Sequence, residues 1–161
     1  MRYADIVAFV QDGRWVVTAQ QRRVALPLGC IVRPMPWWMR WMVGSLTPAL
    51  TTATAIYVNE PLLELLSVET VCHEATHWWQ SRKRMGALDY TATYGWHLIL
   101  RAVTAGARHW HDDHEMEVEA RGCGRAMAAV ILAAPTDTPF DVESWLADQL
   151  PAIAGHRGID K

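Results

Sequence analysis

At 161 residues, 51% of them hydrophobic, the chain has the length of one domain and can bury a sizeable core. Fifteen Lys plus Arg against 17 Asp plus Glu leave a formal charge of −2, without the basic block or acidic tail that would nominate nucleic acid or a membrane surface as a partner. Three cysteines, Cys30, Cys72 and Cys123, are odd in number, widely spaced and without a C-x-x-C pair, which argues against a disulfide framework or a cysteine zinc knuckle and for buried free thiols.

The N-terminal MRYADIVAFVQDGRW breaks at Gln11-Asp12-Gly13 after a short apolar run. It lacks the longer apolar stretch and cleavage site of a signal peptide, so a cytoplasmic location is expected. IVAFV (6–10) and RWVVTAQ (14–20) flank Asp12-Gly13, a hairpin signal. A third strand is expected at GCIVR (29–33), stopped by the Pro-Met-Pro that follows. PMPWWMRWMVGSL (34–46) carries two prolines and Arg40 and is too short to span a bilayer. Trp37, Trp38 and Trp41 are expected to pack in the core or a substrate groove rather than on a lipid interface. TATAIYVNE (52–60) alternates and reads as one more strand, ending at the Asn59-Glu60-Pro61 turn.

The pattern then becomes helical. A short helix is expected over 62–66, and Ser67 is a candidate N-cap for a helix over 68–85 that ends at Gly86. Further helices are expected over 91–107 and 114–134, and a last one through 145–150 behind the N-cap phrase Thr138-Pro139-Phe140-Asp141. The chain thus reads as a single α+β domain over 1–161, with residues 1–60 mainly β and 61–150 mainly α.

The helix over 68–85 contains His73-Glu74-Ala75-Thr76-His77. Residues four apart lie one above the other on a helix, so His73 and His77 can offer imidazole nitrogens to one ion. Glu74, about 100° around the axis, can take a proton from a water without being a ligand. Gln80, three residues past His77, can hydrogen-bond a ligand. Cys72 projects away from His73 and reads as core. This is the residue set that metal-assisted hydrolysis needs, and Zn2+ is the expected ion.

The chain resembles a zincin metallopeptidase, in which a strand such as TAIYV precedes the H-E-x-x-H helix as the active-site edge strand. A metzincin would place glycine and histidine where Gln80 and Lys83 stand. HEMEVEARGCGRAMAAV (114–130) is similar to the E-x-x-A element of gluzincins. That resemblance implies Glu117 as third ligand, Ala120 as the small residue one turn later, Glu119 as a supporting acid, and Arg121 where several gluzincins carry an aspartate. It also implies a small zincin-like fold and hydrolysis of a peptide or protein substrate, with Glu74 as general base and acid and Tyr94 as the phenol over the developing oxyanion.

Periodicity alone does not choose between Glu117 and Glu119, which flank the apolar stripe Met116, Ala120, Cys123, Met127, Val130, Ile131 on opposite edges. Ala120 and Gly124 would allow close helix approach for the one, Gly122 and Cys123 for the other. Other ligand sources are His111 and His114 in RHWHDDHE, and Asp89 in GALDYTATYG, which is faintly like an aspzincin element. Tyr90, Trp96 and His97 stand near Tyr94 without a settled role. A catalytically silent zinc-binding or protein-interaction module is the alternative function, and Glu74 is the residue it leaves without a purpose.

Overall fold

The computed structural model describes residues 2–10, 12–44, 46–82, 92, 115–134 and 138–155. After a single helical turn, α1 (Tyr3–Ile6), the Asp12-Gly13 hairpin forms as expected: β1 (Val7–Phe9) runs antiparallel to β2 (Trp15–Ala19), and Gly13 takes the positive φ of 81° that the turn requires. The chain then turns back within two residues, Gln20 and Gln21, at φ 49° and 61°. Both positions of a primed hairpin turn need left-handed backbone, and here two glutamines adopt it. The result is a strand absent from the sequence reading, β3 (Arg22–Ala25), antiparallel to β2.

The strand expected at 29–33 is β4 (Val32–Pro34), in a second sheet. The expected strand over 52–60 is a hairpin instead. β5 (Ala49–Thr51) and β6 (Ile56–Val58) pair antiparallel around a turn in which the Thr52 hydroxyl accepts from the amides of Thr54 and Ala55 at 3.3 and 3.2 Å. The alternating Thr-Ala run is thus a hydroxyl-stabilised turn. β4 pairs parallel with β6, giving the order β4-β6-β5 with β5 at an edge.

The tryptophan segment forms α2 (Trp37–Val43). Its Met39 and Val43, with Met35, pack on Leu50 and Tyr57, whereas Ala49, Ile56 and Val58, the alternate positions on β5 and β6, face the main core. The second sheet is therefore covered on one face by α2 and on the other by the helical half. Contrary to the expectation of core or groove packing, Trp37, Trp38 and Trp41 are exposed.

A 3₁₀ turn (Glu60–Leu65) starts at the Asn59-Glu60-Pro61 signal and leads to α3 (Val68–Gln80). α4 (Glu115–Ala133) and α5 (Val142–Gly155) follow among the described residues. The main core joins both sheets to these three helices through Val24, Leu26, Val68, Cys72, Met127, Val142 and Leu146. All three cysteines are free and buried, and burial pushes the Cys72 thiol up to about 12. The stripe of α4 holds at Met116, Ala120, Cys123, Met127 and Ile131, but Val130 is exposed.

The last helix is capped differently from the expectation. Phe140 and Asp141 form β7, parallel to β3, in a four-stranded sheet of order β1-β2-β3-β7. Asp141, not Thr138, is the cap: its carboxylate accepts from the Ser144 amide and hydroxyl at 3.1 and 2.9 Å and from Arg14 Nη1 at 2.7 Å. Burial pushes its pKa up, but the Ser144 and Arg14 bonds outweigh burial and hold it below 3.8. Its contribution is therefore present above the unfolded value and is lost as pH falls through the lower folded value. Asp141→Ala is expected to cost about 1–2 kcal/mol at neutral pH, read by urea denaturation. The deficit should shrink on acidification, and an unchanged midpoint at neutral pH would contradict the cap.

Candidate metal centre

Ser67 caps α3 as its sequence requires, its hydroxyl accepting from the Thr70 amide at 3.0 Å. The helix buries Val68, Val71, Cys72, Ala75 and Trp78 against the core, and that fixes its rotation so that His73 and His77 face α4. Helix α4 comes close there because its facing residues are small. Ala120 is fully buried, and a Cβ added to Gly124 would lie 3.1 Å from the Glu69 carbonyl oxygen and 3.2 Å from both the Cβ and the amide nitrogen of His73. Gly122, by contrast, faces open space. The small residues that matter are those in register with Glu117, not those in register with Glu119.

The approach brings three donor groups together. His77 Nε2 lies 3.1 Å from His73 Nε2 and 3.0 Å from Glu117 Oε2, and His73 Nε2 lies 3.3 Å from Glu117 Oε1. Donors about 2.0–2.1 Å from a tetrahedral ion stand about 3.3–3.4 Å apart, so the triad spans the size of a zinc site with little adjustment. These residues are the group among the described residues that can hold a metal ion.

The hydrogen bonds of Gln80 fix which nitrogen of His77 is available. The Met116 carbonyl can only accept, so the Gln80 atom facing it at 3.2 Å is the amide nitrogen. The amide oxygen then faces His77 Nδ1 at 3.0 Å, and Nδ1 carries the hydrogen. With Nδ1 taken up in this way, His77 turns Nε2 toward His73 and Glu117, where it can share a proton with the carboxylate or offer its lone pair to a metal ion. Glu119 enters one step further out: its carboxylate accepts from Gln80 Nε2 at 3.3 Å. It supports the ligand set through Gln80.

Glu74 is only 7% exposed, and among the described residues no side chain donates a hydrogen bond to its carboxylate. Its backbone carbonyl accepts from Thr51 Oγ1 at 2.8 Å, which ties edge strand β5 to α3 beside the site. Thr51 has no sequence signal, because the strand that carries it was not predictable from its neighbours. Arg121 Nη2 stands 3.5 Å from Glu117 Oε1, a cation where the family resemblance would place an aspartate. Asp89, Tyr90, Tyr94, Trp96, His97, His111 and His114 lie outside the described residues, as do Gly86 and, apart from residue 92, the helix expected over 91–107. Comparison with protein-family models, curated proteins and solved structures gives no match to the chain.

Burial disfavours protonation of His73, but its bond to Glu117 and the charges of Glu74 and Glu117 outweigh burial and the opposing Arg121, raising its pKa above 6.5. Burial pushes the Glu117 carboxyl up, and its bonds to His73 and His77 more than reverse this, holding it well below 4.5. The His73 contribution to the stability of metal-free protein is complete below pH 6.5 and is lost as pH rises through the raised folded value; that of Glu117 is complete above 4.5 and is lost on acidification through its depressed value. Chelator-treated protein should therefore lose melting temperature as pH rises past neutrality. Protein supplied with zinc should not, because deprotonated ligands bind metal. Identical pH profiles with and without zinc would count against the site.

Gly124 offers an independent check. Gly124→Ala places its methyl against backbone and Cβ atoms that cannot swing away, and is expected to cost about 1–3 kcal/mol and to lower metal affinity by displacing Glu117. Gly122→Ala meets no atom and should be neutral or stabilising by up to about 1 kcal/mol through helix propensity. Thermal melts and zinc titrations of the two variants side by side would read the difference.

Proposed function

We propose that the chain is a zinc-dependent hydrolase of the gluzincin type, a single-domain metallopeptidase that cleaves amide bonds in a peptide or protein substrate. The observation that carries the reading is the pairing of a convergent His73, His77 and Glu117 triad with a nearly buried Glu74 carboxylate to which no described side chain donates a hydrogen bond. Metal binding alone accounts for the triad. It gives no reason for a carboxylate one residue from the first ligand to which no described side chain donates a hydrogen bond.

His73, His77 and Glu117 would hold the ion, with Gln80 and Glu119 holding His77 in the required tautomer. Bound zinc supplies Lewis acidity, lowering the pKa of a coordinated water toward about 7. Glu74 takes the proton released as water attacks the carbonyl and passes it to the departing amine. Arg121, beside Glu117, and Tyr94 are the groups assigned to the developing oxyanion. Edge strand β5 pairs on one side only among the described residues and is tied to α3 at Glu74. An extended peptide added to that edge would run past the general base, which favours a peptide over a compact small substrate.

Protein purified without affinity-tag metals is expected to contain near-stoichiometric zinc by mass spectrometry. His73→Ala, His77→Ala and Glu117→Ala should lose it, while Glu119→Ala and Asp89→Ala retain it. Glu74→Gln should keep its zinc and lose about 10²–10⁴-fold in peptide-bond hydrolysis. A metal-free wild type that refuses added zinc would overturn the site. Zinc-loaded wild type with no more turnover on a peptide library than Glu74→Gln would leave a binding module.

A further inference from the structure

The even overall charge conceals an asymmetry. Between residues 13 and 59 the chain carries five arginines, at 14, 22, 23, 33 and 40, and no aspartate, glutamate or lysine, so all 17 acidic residues lie outside this stretch. Arg14 is taken up by Asp141 at 2.7 Å and Glu143 at 3.8 Å. Arg33 ends the outer strand β4, and Arg40 lies on α2. No acidic residue belongs to α2, to the second sheet or to the loops within it.

Among the described residues the same segment carries the largest run of exposed apolar side chains. With Met39 and Val43 turned into the sheet, α2 presents Trp37 (73% exposed), Trp38 (47%), Trp41 (83%) and Met42 (54%) outward, and Leu46 in the following turn is 84% exposed. The pairs 37/41, 38/42 and 38/41 are helix-surface neighbours, so this is one patch and not scattered exposure. Neither neutral burial nor the metal site explains it, because α2 covers the face of the sheet opposite α3.

We infer that α2 is an interfacial anchor that docks this face on an anionic lipid surface. Indoles combine a large apolar body with a single N–H donor and settle at the boundary between headgroups and acyl chains. Arginines flanking such a patch, in a stretch of chain that itself contains no acid, supply the complementary charge for phosphate headgroups. A seven-residue helix cannot cross a bilayer, and no helix among the described residues is long and apolar enough to do so. The contact is therefore peripheral, with α2 lying in the plane of the interface. The sheet would then hold α3 and the metal triad on the side away from lipid. The inference stands on the patch and its charge, and holds whether or not the centre is catalytic.

The full-length chain would be tested by flotation with vesicles of phosphatidylcholine alone and of phosphatidylcholine with roughly 30% phosphatidylserine, alongside quenching of tryptophan emission by brominated lipid. Binding to the anionic vesicles with quenching is expected. The double variant Trp37→Ser/Trp41→Ser, altered only at exposed positions, should bind at least about ten-fold more weakly with an unchanged circular dichroism melt. Arg33→Gln/Arg40→Gln should bring anionic vesicles down to the level of neutral ones, and His73→Ala should bind like wild type. Absence of flotation, or equal flotation of wild type and the tryptophan variant, would overturn the inference. So would self-association in sedimentation velocity that the tryptophan variant abolishes without any vesicle binding, which would assign the patch to a second copy of the chain.

Discussion

The candidate centre depends on how closely α4 can lie against α3. Helix axes usually stand 8–10 Å apart, the lower end being reached where small residues face each other. Here the absent side chain of Gly124 sits over His73 and the methyl of Ala120 is fully buried. One turn earlier on α4 the same approach delivers Glu117 to both imidazoles. A bulkier residue at either position would move the carboxylate outward and leave two histidines on a helix face with nothing opposite them. Charged groups brought into such a seam lose hydration that must be replaced. Part of that replacement is the attraction between Glu117 and the two histidines, which holds the carboxyl down and, with the charge of Glu74, pushes His73 up. A divalent ion held by the triad would make the same replacement.

The second sheet holds this seam in place and divides the molecule's surfaces. Its strands alternate strictly: Ala49, Ile56 and Val58 toward the main core, Leu50 and Tyr57 toward α2. Thr51, at the core-facing end of β5, spends its hydroxyl on the Glu74 carbonyl. That carbonyl already accepts within the helix, so the bond adds position more than stability. It keeps an edge strand alongside the stretch of α3 that carries His73, Glu74 and His77. The opposite face, with α2 and its tryptophans, is free to meet another surface without disturbing the ligands.

Much of this was legible in the chain wherever the determinant was local. Ser67 announces the start of α3, Asp12-Gly13 closes the first hairpin, and the four-residue spacing of His73 and His77 places both rings on one face. What escaped has identifiable causes. β3 was hidden because Gln20 and Gln21 hold left-handed backbone that glycine or asparagine would have advertised. The Thr-Ala alternation over 52–55 mimics a strand, yet Thr52 uses its hydroxyl to make a turn. β7 exists only because Phe140 and Asp141 meet Val24 and Ala25 more than a hundred residues earlier. The choice between Glu117 and Glu119 was undecidable from periodicity, since both edges of the α4 stripe have small neighbours. Only the packing shows that Gly124 is pressed against α3 while Gly122 faces open space. The tryptophan run was misjudged for a related reason: hydrophobicity predicts burial one residue at a time, and does not say which face of a short helix the sheet will claim.

On the proposed reading, Arg121 is the residue that departs from the gluzincin pattern. Where an aspartate would add a third carboxylate near the ion, the guanidinium stands 3.5 Å from Glu117. Counting formal charges, a divalent ion with Glu74, Glu117 and Arg121 forms a set one unit positive; an aspartate in place of the arginine would make it one unit negative. The positive set binds a cation less tightly, and it partly opposes the acids that raise the His73 pKa. The same positive charge favours a transition state in which negative charge grows on a carbonyl oxygen. On the proposed reading, the exchange gives up some metal affinity at the ligands and gains stabilisation where the reaction builds charge. A module that only stored or sensed the ion would be served better by the aspartate.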